Sequence, residues 1–220
     1  MKTKAIIFDI DGTLWDITEE LALVWSEIGS EITKLDYHFT KEELEQNMGK
    51  PLDQIVINLF PYADETELQK IYDTVTQNQC KLLAKYDLKK RLYDGVIDAL
   101  NAIYLTNEYE IFLVSNCENN YMDLFIDSTR LGFYFVDTEC HGNTRKPKKE
   151  NIRMVLARNK IQKAIYVGDT LHDYAASKNA GIEFIHAKYG FQPNFKSEYR
   201  INSIKELMNV IKDINLWLKC

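Results

Sequence analysis

The chain has 220 residues, 45% of them hydrophobic and 27% charged, a balance that excludes a disordered polymer and suits a folded protein with room for a core domain and a smaller partner. Its formal net charge of −6 leaves no basic excess to neutralise the phosphates of a nucleic acid. No apolar run approaches the roughly 18 residues of a membrane span, and the first run is too short for a signal-peptide core, so a cytoplasmic protein without membrane contact is expected.

In chain order, the first element is a strand at 5–8, AIIF, whose apolar run is continuous, as when helices cover both faces of a parallel sheet. It runs straight into Asp9 and Asp11, followed by Gly12 and Thr13. From Asp16 to Arg91 the signals are helical. Leu21, Val24, Trp25, Ile28, Ile32 and Leu35 recur at three- and four-residue steps, one face of a helix. Thr40 with Glu43 and Asp64 with Glu67 have the spacing of capping boxes. Between them Gly49-Lys50-Pro51 interrupts, a helix carrying Ile55, Ile57 and Leu59 follows, and a longer one shows Leu68, Ile71, Val75, Leu82 and Tyr86. Such a set can close its own small core.

Beyond Tyr93-Asp94-Gly95 strands and helices alternate. Strands are expected at 111–114, 133–136, 164–167 and 182–185, and helices at 96–105, 119–131, 147–159, 171–180 and 203–218, the last opened by Ser203 and Glu206. The expected fold class is therefore α/β, a doubly wound, mostly parallel sheet, with a helical domain inserted after strand 1. The boundaries are 1–15 and 92–220 for the core and 16–91 for the insertion. The four cysteines, Cys80, Cys117, Cys140 and Cys220, have neither metal-site nor CxxC spacing and read as reduced thiols.

Ligands of open parallel sheets bind beyond the carboxyl ends of the strands. There the sequence delivers Asp9 and Asp11, then Ser115 and Asn116, then Gly168-Asp169-Thr170 with Asp173 a helical turn on. Carboxylates gathered in one cleft must be protonated or neutralised by a cation. Oxygen ligands with no His or Cys among them suit Mg²⁺, which keeps positions for water and a substrate phosphate. Asp173 taken alone reads equally well as an acidic residue in a first helical turn. Two residues along an extended strand set side chains on one face, about 6–7 Å apart, so Asp9 and Asp11 can work on one ligand.

Asp9-Ile10-Asp11-Gly12-Thr13-Leu14, Ser115-Asn116, Lys146-Pro147 and Gly168-Asp169-Thr170-Leu171-His172-Asp173 together resemble, in order, the four motifs of the haloacid dehalogenase superfamily in its phosphatase form. The likeness spans nearly the whole chain and lies nearest to the phosphoglycolate-phosphatase-like members with a helical cap. It implies a Mg²⁺-dependent hydrolase of a small phosphate monoester, acting through an aspartyl-phosphate. Asp9 is then the nucleophile and Asp11 the general acid and base. Ser115 and the Asn116 amide hold phosphoryl oxygens. Mg²⁺ sits on the Asp9 carboxylate, the Asp11 carbonyl and Asp169, with Asp173 ligating or orienting. The family sets its lysine directly before a proline, which selects Lys146 from Arg145-Lys146-Pro147-Lys148-Lys149, with Lys148 as the alternative. The insertion corresponds to the family's cap, and Lys50 becomes a candidate substrate ligand, or else an ordinary lysine at a turn. Trp15 is expected to line the cavity or to pack the interface between core and cap. His172 is expected at the surface, Cys117 as a small buried thiol, and Tyr189-Gly190-Phe191 as a structural turn.

Three rival readings share parts of this pattern. A dehalogenase has no need of Asp11 or of a metal. A phosphomutase carries the same core motifs and differs in its cap. A binding module without catalysis has no need of the Asp11 acid. The absence of GxxxxGK[ST] and GxGxxG disfavours a nucleotide site on another fold.

Overall fold

The computed structural model describes residues 3–214. In chain order the elements are β1 (Lys4–Phe8), α1 (Thr18–Thr33), α2 (Lys41–Glu45), α3 (Leu52–Leu59), α4 (Glu65–Leu83), α5 (Val96–Thr106), β2 (Glu110–Ser115), α6 (Asn119–Thr129), β3 (Phe135–Cys140), α7 (His141–Thr144), α8 (Lys148–Arg158), β4 (Lys163–Gly168), α9 (Leu171–Ala180), β5 (Glu183–Ala187), β6 (Tyr199–Ile201) and α10 (Leu207–Asp213). The strands form one parallel sheet in the order β3-β2-β1-β4-β5-β6.

Alternate residues of β1 serve opposite faces. Ile6 and Phe8 pack with Leu100, Phe125, Leu207 and Ile211 of α5, α6 and α10. Ala5 and Ile7 pack with Ile152, Val155 and Ala176 of α8 and α9. Both faces are thus covered, and the unbroken apolar run of β1 follows from that. The connections after β1 run to β2 on one side, and those after β4 run to β5 on the other. The crevice between the carboxyl ends of β1 and β4 is therefore the topological switch point, where such sheets bind ligands.

Helices α1 to α4 fill the interval between β1 and β2. Both capping boxes form: Thr40 and Asp64 accept from the backbone N–H groups of Glu43 and Glu67, whose carboxylates return the bond. On α1 the stripe Leu21, Val24, Trp25 and Ile28 is buried, whereas Leu35 lies past the helix end and is exposed. On α3 the inward positions are Leu52, Ile55, Val56 and Leu59. Ile57 faces outward, because steps of three and four from Leu52 bypass it. The chain leaves and re-enters the sheet domain at one place: Tyr93 N–H donates to Leu14 O, Asp16 N–H donates to Arg91 O, and Trp15 pairs with Leu92 in an antiparallel bridge.

Two expected elements shift, and one strand, β6, is present that no apolar run marks. The apolar run 133–136 is only partly strand: Gly132–Tyr134 form a 3₁₀ turn, Phe133 is exposed, and β3 continues instead through Asp137, Thr138 and Glu139. Arg158 neutralises that polar stretch, bonding Asp137 at 2.8 Å and Glu139 at 2.6 Å. The last helix opens with a 3₁₀ turn, Ile204–Glu206, because Ser203 accepts from Lys205 rather than completing a box with Glu206. Position 218 of that helix, and Cys220, lie outside the described residues. The edge strand β6 is too short, with only Ile201 buried, to show as an apolar run.

Candidate active site

β1 ends at Phe8, and the next residue remains in the sheet through an Asp9 N–H bond to Val167 O at 3.0 Å. Its carboxyl is buried against that of Asp169, which follows β4, and that of Asp173, on the first turn of α9. One oxygen from each of the three lies within 4.8 Å of the others. Gly12 is what lets the first loop fold so tightly onto the second. Its φ is +74°, and a Cβ there would sit 2.2 Å from Asp169 Oδ2.

A single cation meets the cluster from α8. Lys148 Nζ lies 3.0 Å from Asp9 Oδ2 and 2.6 Å from Asp173 Oδ1, with only 3% of its side chain exposed. Burial works against the ammonium, but Asp173 and Asp9 outweigh it and raise its pKa above the ordinary lysine value. The sequence expectation of Lys146 is therefore corrected. Lys146 is exposed, and its Nζ reaches only Met154 Sδ, at 3.7 Å. The reason is the helix start: with Pro147 as N-cap, Lys148 is the first helical residue, and it shares the inward face with Asn151, Ile152 and Val155. Extending that stripe backwards from Val155 in helical steps selects 148, a signal available in the sequence.

Asp173 has two employments. Its Oδ2 accepts from Thr170 N–H at 3.0 Å and Thr170 Oγ1 at 2.7 Å, capping α9, while Oδ1 faces Lys148. Burial opposes its charge, yet Lys148 and Thr170 prevail and hold its carboxyl below the usual range. Asp169 lies the other way. Burial, with Asp173 and Asp9 beside it, pushes it well above that range. Asp9 is also pushed up, chiefly by burial, against the pull of Lys148.

Asp11 stands apart from this cluster. Its Oδ1 accepts from Trp15 Nε1 at 2.8 Å and from Tyr121 Oη at 2.6 Å. Burial raises its pKa to about 6 despite those two donors, a value at which a carboxyl exchanges protons near neutrality. Trp15 is fully buried and stacks edge-on against Phe125 and Tyr121, so it packs the interface and also orients Asp11. Tyr121, on α6, carried no sequence signal beyond a place on an apolar helix face. The turn Tyr189-Gly190-Phe191 does more than reverse the chain: Phe191 N–H donates to Asp169 Oδ2 at 2.7 Å, and Tyr189 Oη to Thr13 O at 2.8 Å. A Cβ on Gly190 would lie 2.3 Å from Gly12 O, so this turn also presses directly on the site.

Ser115, Asn116 and Lys50 join Asp9 and Asp11 along one cleft. Asn116 Nδ2 donates to Gly49 O at 2.8 Å, tying the β2 loop to the Gly49-Lys50-Pro51 turn of the helical insertion. Lys50 Nζ is itself held by Asn47 Oδ1 at 2.8 Å. His172 is exposed, as expected. A hydrogen bond with Cys140, reinforced by burial, lifts the Cys117 thiol well above its ordinary value, which disqualifies it as a nucleophile.

The donor set fits a hard divalent cation. Asp9 Oδ1 is buried with no hydrogen-bond partner, the neighbouring ligand atoms are all carboxylate oxygens, and one of those carboxyls, Asp169, is raised by burial and by its like-charged neighbours.

The chain is similar to known proteins. Residues 6–187 match the family model described as haloacid dehalogenase-like hydrolase. The chain is 26% identical over 227 residues to pyrophosphatase PpaX of Listeria monocytogenes, covering 96% of this chain and 98% of that protein. It is 26% identical over 228 residues to the phosphoglycolate phosphatase of Vibrio vulnificus, covering 94% and 96%. A crystal structure of a predicted phosphoglycolate phosphatase from Haemophilus somnus shares the fold with a TM-score of 0.82 at 17% identity, over 96% of this chain and 99% of that one. Among the described residues no helix is long and apolar enough to cross a membrane. With its sheet order, its inserted helices and a family match from β1 to the end of β5, the chain belongs to the haloacid dehalogenase-like hydrolase family.

Proposed function

We propose that the protein is a Mg²⁺-dependent phosphatase of small-molecule phosphate monoesters, with residues 1–15 and 92–220 as its catalytic core and 16–91 as a cap. The observation that carries this reading is the division of labour between two carboxyls of one loop. Asp9 keeps one buried oxygen, Oδ1, bare while its other meets Lys148, and Asp11 is held apart by Trp15 and Tyr121 with its pKa raised to about 6.

In this reading an Asp9 oxygen attacks phosphorus as the bond to the leaving oxygen breaks, and the Asp11 proton passes to that oxygen, releasing the alcohol. The product is an aspartyl-phosphate. Asp11, now a base, takes a proton from water, whose oxygen attacks phosphorus, and the bond to Asp9 breaks to free phosphate. Lys148 offsets part of the burial that opposes the Asp9 charge and holds the carboxyl in place. Ser115 and the Asn116 amide hold phosphoryl oxygens. The Asp9 carboxylate, the Asp11 carbonyl and Asp169, with Asp173 behind, would hold Mg²⁺, which would supply charge neutralisation on the transferring group. The cap excludes water from the cleft.

Phosphate release from a panel of esters, with Mg²⁺ and with chelator, tests the reading. Activity should require the metal and should be lost in Asp9→Asn. Full activity of that variant, or turnover in chelator, would overturn it. A sugar phosphate isomerised with little free phosphate would point instead to a phosphomutase.

A further inference from the structure

The cleft that begins at Asp9 and Asp11 runs into the helical insertion, where Leu21 and Trp25 of α1, Leu44 and Met48 around α2, and Leu52 and Ile55 of α3 wall it. The room inside it is about 60 Å³, the space of a few waters and so of a compact group. The phosphoryl group belongs at Asp9 in the proposed function, and Asp11 is the acid for the leaving oxygen. The leaving group must then extend from Asp11 along this apolar wall.

The charges along the cleft do not suit an anionic leaving group. Lys50 is the one cation lining it among the described residues, and its ammonium is turned to Asn47 Oδ1 at 2.8 Å. The only other charged group beyond the two aspartates is Glu118, itself paired with Arg145 at 2.9 Å. Gln79 of the lining is neutral and buried, and its Oε1 accepts from Trp25 Nε1 at 3.3 Å. A carboxylate or second phosphate carried along such a wall loses its hydration and meets, among the described residues of the lining, no cation but Lys50, which already donates to Asn47. An alkyl or aryl group instead gains from leaving water.

We propose that the substrate is the phosphate monoester of a compact, uncharged, largely apolar alcohol, so that this chain differs in specificity from relatives named for pyrophosphate or phosphoglycolate. The inference rests on the phosphatase reading above.

The test measures kcat/KM with Mg²⁺ for ethyl, propyl and butyl phosphate against phosphoglycolate and pyrophosphate. Each added methylene should raise kcat/KM about threefold to fourfold. Butyl phosphate should exceed both anionic substrates by at least about tenfold. In Met48→Lys, with a urea midpoint measured alongside to establish folding, the ratio of butyl phosphate to phosphoglycolate should fall about tenfold or more. A flat alkyl series, or phosphoglycolate or pyrophosphate turned over as well as butyl phosphate, overturns the inference and leaves the phosphatase reading standing. No phosphate release from any of the five overturns the phosphatase reading itself.

Discussion

At the scale of single residues, two lysines separated by one proline have unrelated environments. Lys148 bridges Asp9 and Asp173 in a buried triad, and Lys146 reaches into solvent past Met154. Removing a buried charge that orients a nucleophile withdraws stabilisation at the point where negative charge gathers. Lys148→Met should therefore lower kcat/KM at least about 100-fold. Lys146→Met should stay within about twofold, as an exposed substitution does. Comparable losses in the two variants would refute the assignment. A motif read along the chain counts positions from a proline, whereas the fold counts them from the first turn of α8. The four carboxylates were legible because each directly follows an apolar run or begins a helix. Tyr121 and the Phe191 N–H, which hold Asp11 and Asp169, were not, because both arrive from elements more than a hundred and about twenty residues away, respectively.

At the scale of elements, the joint between the sheet and the inserted helices is made of backbone bonds and charge. Asp16 accepts from Thr18 N–H at 3.0 Å and meets Lys41 of α2 at 2.6 Å, and Arg91 answers Glu19 and Glu20 of α1 across the same joint. Burial disfavours the Asp16 charge, but Lys41 and Thr18 more than compensate and hold its pKa below the ordinary 3.8. A carboxyl lowered on folding stabilises above its unfolded pKa, and that contribution disappears as pH falls through the folded value. Asp16→Asn should thus be less stable than the parent at pH 7, by no more than about 1 kcal/mol given the partial exposure of the pair. The gap between the two proteins should narrow as the pH falls below the ordinary 3.8. Urea midpoints at pH 7, 4 and 2.5 decide it, and a gap that persisted in acid would remove the carboxylate from the account. Periodicity made this part of the fold easy to read, since α1 to α4 carry amphipathic stripes and working capping boxes. It failed at the sheet edges. β3 keeps Asp137 and Glu139 within the strand because Arg158 pairs with them, and β6 buries a single residue, so neither has the apolar run that marks β1 or β4.

At the scale of the molecule, the sheet order converges like charges. Reversal of strand order at β1 brings Asp9 beside Asp169, and α9 adds Asp173 behind them, against a single compensating Lys148. Without a cation the fold carries the burial of Asp169 and this repulsion together, and both raise its pKa, burial the more. A carboxyl whose pKa rises on folding destabilises the native state above its unfolded value of 3.8 and not in acid. In chelator, Asp169→Asn should therefore be more stable than the parent by roughly 0.5–2 kcal/mol at pH 7, a gain that vanishes near pH 3. The amide can keep both contacts of Asp169, accepting from Phe191 N–H and facing Thr13 Oγ1. Mg²⁺ should reverse the order. At a hundredfold excess over its Kd it stabilises the parent by about 2.7 kcal/mol, because it binds the native site and not the unfolded chain. It should leave Asp169→Asn nearly unmoved. Thermal unfolding of both proteins with and without Mg²⁺ reads this directly, independently of any substrate. Equal shifts in the two would mean that the cation binds elsewhere, and the carboxylates at the switch point would then need another partner to offset their charge.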